Sequence, residues 1–271
     1  MPELPEVETT RRGIAPHLID RRILTIEVRQ PRLRWPVPVD TLQILPDATV
    51  TAVDRRAKYL LVRTSVGTLM LHLGMSGSLR VLPQATPPER HDHFDLSLDS
   101  GYCLRLRDPR RFGSIHWLPG TNNAHPLLDP LGPEPWDPAF DGTYLYEHSR
   151  GRRRSVKALL MDSRIVVGVG NIYANEALFM AGIHPARAAG RVSRARYQRL
   201  ADATRQVLER AIAVGGTTLR DFTDSAGEAG YFRIELAVYG RTGQRCPACG
   251  NALRHVRQQQ RSSWYCPHCQ R

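Results

Sequence analysis

Lysine is almost missing from this 271-residue chain: of 38 basic residues, only Lys58 and Lys157 are not arginine. Such a bias reflects a GC-rich coding background and carries no chemistry by itself. Arginine serves as well as lysine at a phosphate, but not as an amine that must shed or relay a proton. The two lysines therefore stand out as candidates for work that arginine cannot do. Acidic residues are also scarce, 26 against 38 basic, and the net charge of +12 points to a polyanionic partner. No run of 18 apolar residues occurs, and the N-terminus has no basic-then-apolar leader. A membrane-spanning helix and a secretory signal are thus not expected, and the chain reads as soluble and cytoplasmic. Cysteine is limited to five residues, four of them in two Cys-x-x-Cys pairs, which in a reducing compartment reads as metal rather than disulfide. Cys103 alternates with Leu104 and Leu106 and reads as a small core residue. There is no internal repeat and no long low-complexity tract.

The hydrophobic period divides the chain. Val7, Ile14 and Leu18 recur at helical spacing over residues 3–18, with Arg11 and Arg12 giving that helix a basic side. Short alternating runs follow at 23–28, 50–54, 59–63, 68–73, 79–82, 94–98, 102–106 and 114–118, many separated by Gly or Pro. They predict an antiparallel sandwich or barrel. Six prolines between 119 and 138 mark an interdomain linker. Beyond it the period is helical, at 143–150, 155–162, 171–181, 193–214 and 217–222, and the small polar stretch 223–232 reads as a mobile loop. The expected organisation is an α+β multidomain chain: residues 2–118, a linker at 119–140, a helical domain at 141–232 and a ribbon at 233–271.

Cys246, Cys249, Cys266 and Cys269 form two knuckles whose spacing suits one tetrahedral, closed, structural zinc ion. Between them Arg254, His255, Arg257 and Arg261 make a basic hairpin, suited to a nucleic-acid groove or to a purely structural role. Val167-Gly168-Val169-Gly170-Asn171 precedes a helix whose first amides, with the Asn171 side chain, can hold a phosphate. Met75, between Gly74 and Gly77, and Arg110 with Phe112 lie in predicted turns. An apolar wedge beside a bidentate arginine is equipment for opening a duplex, although Met and Phe are more often core residues. His91, His93 and Asp95 share a strand face. They could pass for a metal site, but hydrogen bonding to phosphate is the preferred reading.

The N-terminus offers chemistry of a different kind. Removal of Met1 would expose Pro2, a secondary amine able to attack a sugar C1′ and form an iminium. An α-amino group titrates near 7.7–8.0, so roughly a tenth to a fifth would be neutral at pH 7, against under about 0.1% for an unassisted lysine. Glu3 would sit beside that nucleophile as an acid or base. The plainer reading is that Pro2 and Pro5 shape a helix entry whose first turn carries Glu3, Glu6 and Glu8, favoured by the helix dipole.

Taken together, the opening Pro2-Glu3-Leu4-Pro5-Glu6, the segment Arg55–Tyr59, the segments His72–Gly77 and Asp108–Gly113, the segment Gly168–Tyr173 and the four-cysteine ribbon resemble the formamidopyrimidine-DNA glycosylases over essentially the whole chain. The resemblance implies a bacterial base-excision enzyme for oxidised purines. Its fold would be an N-terminal β-sandwich with an N-terminal helix, a helix-two-turn-helix domain and a C-terminal zinc ribbon. Damaged double-stranded DNA would lie in the cleft between the halves, with no membrane, no obligate protein partner and a monomeric state. Pro2 would be the nucleophile and Glu3 would protonate the opening deoxyribose. Lys58 would act in β-elimination and Arg261 in δ-elimination. His91, Arg110, Arg152, Lys157 and Asn171 would grip DNA, and Met75, Arg110 and Phe112 would fill the void left by the everted base. Residues 217–232 would cover that base, with Glu6 at the mouth of the pocket. Arg152-Arg153-Arg154 departs from the lysines often found there, which leaves phosphate contact intact but excludes an amine role at 152. Two rivals share some of these features: an endonuclease VIII-like enzyme for oxidised pyrimidines, and a non-catalytic zinc-ribbon DNA-binding protein.

Overall fold

The computed structural model describes residues 2–120, 124–215, 236–258 and 260–271. The expected helix at 217–222 and loop at 223–232 lie outside them. The chain divides into two compact units, one running to Asp129 and one built from Pro130–Ala213 with the C-terminal segment through Arg271.

In the first unit helix α1 (Leu4–Leu18) precedes eight strands: β1 (Ile23–Val28), β2 (Val50–Arg56), β3 (Tyr59–Thr64), β4 (Gly67–His72), β5 (Ser78–Pro83), β6 (Asp92–Leu98), β7 (Tyr102–Arg107) and β8 (Ser114–Pro119). A short helix α2 (Val39–Leu42), which the sequence period does not reveal, lies between β1 and β2. The strands form two antiparallel four-stranded sheets, ordered β1-β6-β7-β5 and β2-β3-β4-β8. Leu60, Val62, Leu69 and Leu71 from one sheet share a core with Phe94, Leu96, Leu104 and Leu106 from the other. Alternate residues of one face from each sheet therefore close the sandwich. Cys103 is buried, as its alternation predicts.

Burial extends to charge. Arg105 is 2% exposed and donates to both carboxylate oxygens of its cross-strand partner Asp95, at 2.8 and 2.7 Å, and to the carbonyls of Thr86 and Pro87. Arg29 adds a 2.6 Å bond to Asp95. On α1, Glu8 accepts bonds from Arg11 and Arg12 of its own helix and from Arg55 of β2, while Arg11 reaches the Val53 carbonyl. One carboxylate offsets part of the expected basic side of α1, and these ion pairs fasten the helix to β2. Burial disfavours the Glu8 carboxylate, but the three arginines more than compensate and hold its pKa at about 2.

The second unit contains α3 (Gly142–Ser149), α4 (Val156–Leu160), α5 (Asn171–Met180), a 3-10 turn at Ala189–Arg191, α6 (Arg194–Ala213) and the hairpin β9 (Arg254–Gln258) with β10 (Arg261–Tyr265). Asp141 and Ser155 cap α3 and α4 by accepting from Tyr144 N and Ala158 N. Two features add to the expected organisation. The Pro-rich stretch 119–140 is not one free linker. The boundary falls inside it, and its second part is bonded to the helical unit through Gly132 N to Ser163 O, Val167 N to Pro133 O, Arg205 to Pro135 O, and Trp136 to Glu209. Nor does the ribbon form a separate unit, because its hairpin bonds to α4 and α5. Among the described residues no helix is long and apolar enough to cross a membrane.

Arg105→Met should destabilise the protein by about 3–5 kcal/mol, because it leaves Asp95 and Asp92 buried with fewer cations; urea unfolding at pH 7 measures this. Glu8 stabilises fully above its unfolded pKa near 4.5, and that contribution is lost as pH falls towards about 2. Glu8→Gln should therefore lower stability at pH 7 and flatten its decline between those two pH values.

Candidate functional site

The N-terminus of α1 is a closed, organised corner. Pro2 is buried, and Glu3 and Glu6 are 2% and 0% exposed. The Glu3 amide donates to Glu6 Oε2 at 2.8 Å, and the Glu3 carboxylate faces the Glu6 amide, making a capping box. Glu6 is therefore a brace that fixes the backbone of Glu3.

Lys58 is half-buried in the β2–β3 turn, beside Ala57 at φ 55°. Arg55 ties that turn to α1, donating one bond to Glu8 and another to the Ala57 carbonyl at 2.9 Å. The helix carrying Pro2 and Glu3 and the turn carrying Lys58 are thus linked through one carboxylate. His72 lies next along. Burial, then the charge of Lys58, lowers its pKa to about 4, so it is neutral at pH 7, and its Nδ1 accepts from Gly74 N at 3.0 Å.

Gly74 begins the loop that carries Met75. It has φ +64°, and a Cβ there would meet Phe112 C at 2.3 Å and Gly113 N at 2.4 Å. Only glycine lets the Met75 loop and the Arg110–Phe112 loop approach this closely. Asp108, fully buried, fastens the two together: Oδ1 accepts from Ser76 Oγ at 2.8 Å and Oδ2 from Gly113 N at 2.7 Å. Ser76 Oγ in turn accepts from Arg110 N at 3.2 Å. His91 joins through its carbonyl, which accepts from Asp108 N, and His93 Nε2 bonds the Asp108 carbonyl. Met75 and Phe112 remain 38% and 42% exposed, which is unusual for such side chains, and the Arg110 guanidinium lies 5.0 Å from the Phe112 ring centre. Met75, His91, Arg110 and Phe112 therefore share one rigid loop cluster. The alternative metal reading of His91, His93 and Asp95 fails, since Asp95 is committed to arginines and His93 to a carbonyl.

In the second unit Arg152 and Arg153 are exposed, whereas Arg154 pairs with Asp162 at 2.8 Å. Lys157 departs from the expected phosphate grip. It is 3% exposed and donates to Ser262 O at 2.6 Å and Ser263 Oγ at 2.9 Å, bracing the β9–β10 hairpin. A cavity of about 400 Å³ beside it is lined by Arg154, Lys157, Asp162, Gln258, Arg261 and Ser263 among others. Arg261 is exposed opposite Gln258 at the hairpin tip. Asn171 opens α5, and its side-chain oxygen is buried without a partner. Asn175, one turn on, donates to Asn171 O and accepts from Trp264 N.

The four cysteine sulfurs lie within 4.8 Å of one another, with Cys249–Cys266 at 3.5 Å and Cys246–Cys269 at 3.9 Å. Tetrahedral zinc with Zn–S bonds of about 2.3 Å requires sulfur–sulfur edges of about 3.8 Å. The cluster fits, and Cys246, Cys249, Cys266 and Cys269 hold one structural zinc ion. Four thiolates leave no open position, so the metal supplies rigidity and no reaction step.

Sequence reasoning did not single out Glu8, Ser76, Asp108 or Glu176. Glu176 is buried on α5, and its carboxylate accepts the amides of Ala237, Val238 and Tyr239 at 2.7, 3.0 and 2.9 Å. The signal in each case is a polar residue inside or beside a motif, on the buried phase of its element.

Comparison with known proteins agrees with this geometry. The formamidopyrimidine-DNA glycosylase N-terminal domain matches residues 1–115, the formamidopyrimidine-DNA glycosylase H2TH domain residues 131–223, and the zinc finger found in FPG and IleRS residues 243–271. The chain is 65% identical to the formamidopyrimidine-DNA glycosylase of Alkalilimnicola ehrlichii and 59% identical to that of Stenotrophomonas maltophilia strain K279a, in both cases over the full length of both chains. Among solved structures, the Lactococcus lactis Fpg in complex with abasic-site DNA superposes with a TM-score of 0.90 at 32% identity, covering 99% of each chain. The Thermus thermophilus MutM (Fpg) protein gives 0.87 at 38% identity, covering 99% of this chain and 98% of its own. The chain belongs to the formamidopyrimidine-DNA glycosylase family, the DNA glycosylases of base-excision repair.

Proposed function

We propose that this chain binds duplex DNA containing an oxidised purine, removes the base through the Pro2 nitrogen, and then cleaves the strand at the same sugar. The observation that carries this reading is the corner at the start of α1, where buried Pro2 and Glu3 are joined to the Lys58 turn through Glu8 and Arg55.

Once Met1 is removed, the neutral Pro2 amine attacks C1′ and the base leaves with the bonding electrons of the glycosidic bond. Glu3 protonates the deoxyribose ring oxygen as the ring opens, and an iminium links Pro2 to C1′. The iminium acidifies the C2′ proton. Its removal, aided by Lys58, expels the 3′ phosphate, and a second elimination aided by Arg261 expels the 5′ phosphate. A stacked base hides C1′, so the nucleotide must first leave the helix at a cost of a few kcal/mol. Exposed Met75 and Phe112, fixed on loops fastened by Asp108, are suited to fill the gap, and Arg110 to face the orphaned base. His91, Arg152 and Asn171 supply donors for phosphates. The complexes of the Lactococcus lactis protein with abasic-site and N7-benzyl-Fapy-dG DNA support this substrate class.

Borohydride trapping on a duplex with 8-oxoguanine opposite cytosine should give a covalent adduct that maps to Pro2 and that acetylation of the Pro2 nitrogen abolishes; faster excision of thymine glycol would favour the pyrimidine enzyme instead. Glu3→Gln should stop base removal by at least about a hundredfold while sparing cleavage at a ready-made abasic site, and equal loss of both would remove Glu3 from its role. Intact mass reads the loss of Met1 directly. Cys249→Ala, or zinc chelation, should weaken DNA binding at least about tenfold, because Arg261 and the Lys157 acceptors both depend on the ribbon; unchanged affinity would show the hairpin to be dispensable.

A further inference from the structure

The positive charge is unevenly distributed. The described part of the second unit, residues 130–213 and 236–271, holds 19 Lys and Arg against 8 Asp and Glu. Between residues 177 and 201 there are five arginines, at 187, 191, 194, 196 and 199, and no acid. The proposed active-site set absorbs none of them, and none lines the Lys157–Arg261 cavity.

These arginines form a connected surface with Arg150. Arg150 lies 3.8 Å above the Tyr146 ring and donates to the carbonyls of Tyr146, Gly190 and Val192. Arg194 approaches the same ring from 5.9 Å. Arg187 donates to the Arg191 carbonyl, and Arg196 to main-chain oxygens of Gly182 and Arg271. Burial, and then the charges of Arg187 and Arg199, lower the Arg196 pKa, so these cations sense one another. Among the described residues no Asp or Glu side chain lies within salt-bridge distance of any of the six, whereas Arg154, Arg164 and Arg205 of the same unit all have one. Neutral carbonyls orient the Arg150 and Arg187 guanidiniums without cancelling their charge. Guanidiniums without an Asp or Glu partner suit a regularly spaced polyanion, and they match the phosphodiester backbone this protein already handles.

We propose that Arg150, Arg187, Arg191, Arg194, Arg196 and Arg199 form a second DNA-backbone surface, which holds a separate duplex segment while the first is engaged. This rests on the reading of the chain as a DNA-binding enzyme, but not on its covalent chemistry. The surface would let the enzyme bridge neighbouring segments and transfer between them without full release.

The test is the stoichiometry of the full chain with a short undamaged duplex at low salt, read by sedimentation. Wild type should bind two duplexes, the weaker one lost steeply with added salt. R194E/R199E should lose the second equivalent, with affinity down at least about tenfold, and should excise from a short lesion duplex at the wild-type rate. R210E/R245E, the same charge change at exposed positions elsewhere in the unit, should keep it. One duplex per wild-type chain, or equal loss in both variants, would overturn the proposal. Borohydride trapping reads the preceding proposal separately: two-duplex binding without an adduct would sink only the covalent scheme.

Discussion

The first unit depends on one buried carboxylate. Glu8 gathers Arg11, Arg12 and Arg55, and the first and last of these reach on to other parts of the proposed site. Through Arg11 and the Val53 carbonyl it seats α1 on β2; through Arg55 and the Ala57 carbonyl it holds the turn that presents Lys58. A nucleophile at a chain terminus, as proposed for Pro2, has an inherent difficulty, because termini fray. Here the second residue is buried, the third belongs to a capping box, and the eighth anchors the helix by ion pairs within the sandwich. These contacts order the start of α1, so in the proposed reaction part of the entropy of positioning would be met by folding.

A second carboxylate, Asp108, does for the Met75 and Phe112 loops what Glu8 does for the start of α1. Exposed methionine and phenylalanine side chains gain nothing from folding, so their loops cannot be held by burying them. The structure instead buries a polar residue beneath them and satisfies it from both loops. That division explains why Gly74 is required. Its missing Cβ lets two turns interleave, and the hydrogen bonds then fix their register. Rigid loops suit an intruding side chain, since a floppy wedge would lose entropy on insertion and offset less of the unstacking cost.

Most of this architecture was legible in the chain. The eight strands fall where alternation puts them, and the period of two survives even in β6, which is buried on both faces. The α2 helix was not legible: four residues are too few to show a period. The proline-rich stretch misleads because proline reports only local stiffness. The docking of Gly132, Trp136 and Phe140 onto the helices is tertiary and has no local signature. Lys157 misleads for the same reason. Its partners Ser262 and Ser263 lie 105 and 106 residues away, so nothing near it in sequence indicates burial. The paired cysteines, a residue type with one dominant chemistry in that spacing, were the easiest to read. Those whose role depends on a distant partner, Glu8, Asp108 and Glu176, were the hardest.

The survival of Lys157 in an arginine-rich chain follows from the same packing. An ammonium is compact and can be satisfied by a few oxygens, and here two of them are Ser262 O and Ser263 Oγ. A guanidinium carries five donors in a rigid fork and would bring more of them into a site only 3% exposed than it could satisfy. The lysine is thus held by the ribbon, and the ribbon by the metal. Asn175 is bound to Trp264 in the same way, and Gln270 joins Cys266 N to the Ile183 carbonyl. Loss of zinc would therefore strand a buried ammonium and a buried amide on the helices, each costly when unpaired. This coupling is why ribbon and helices form one compact unit, and it makes a structural metal govern residues that never touch it.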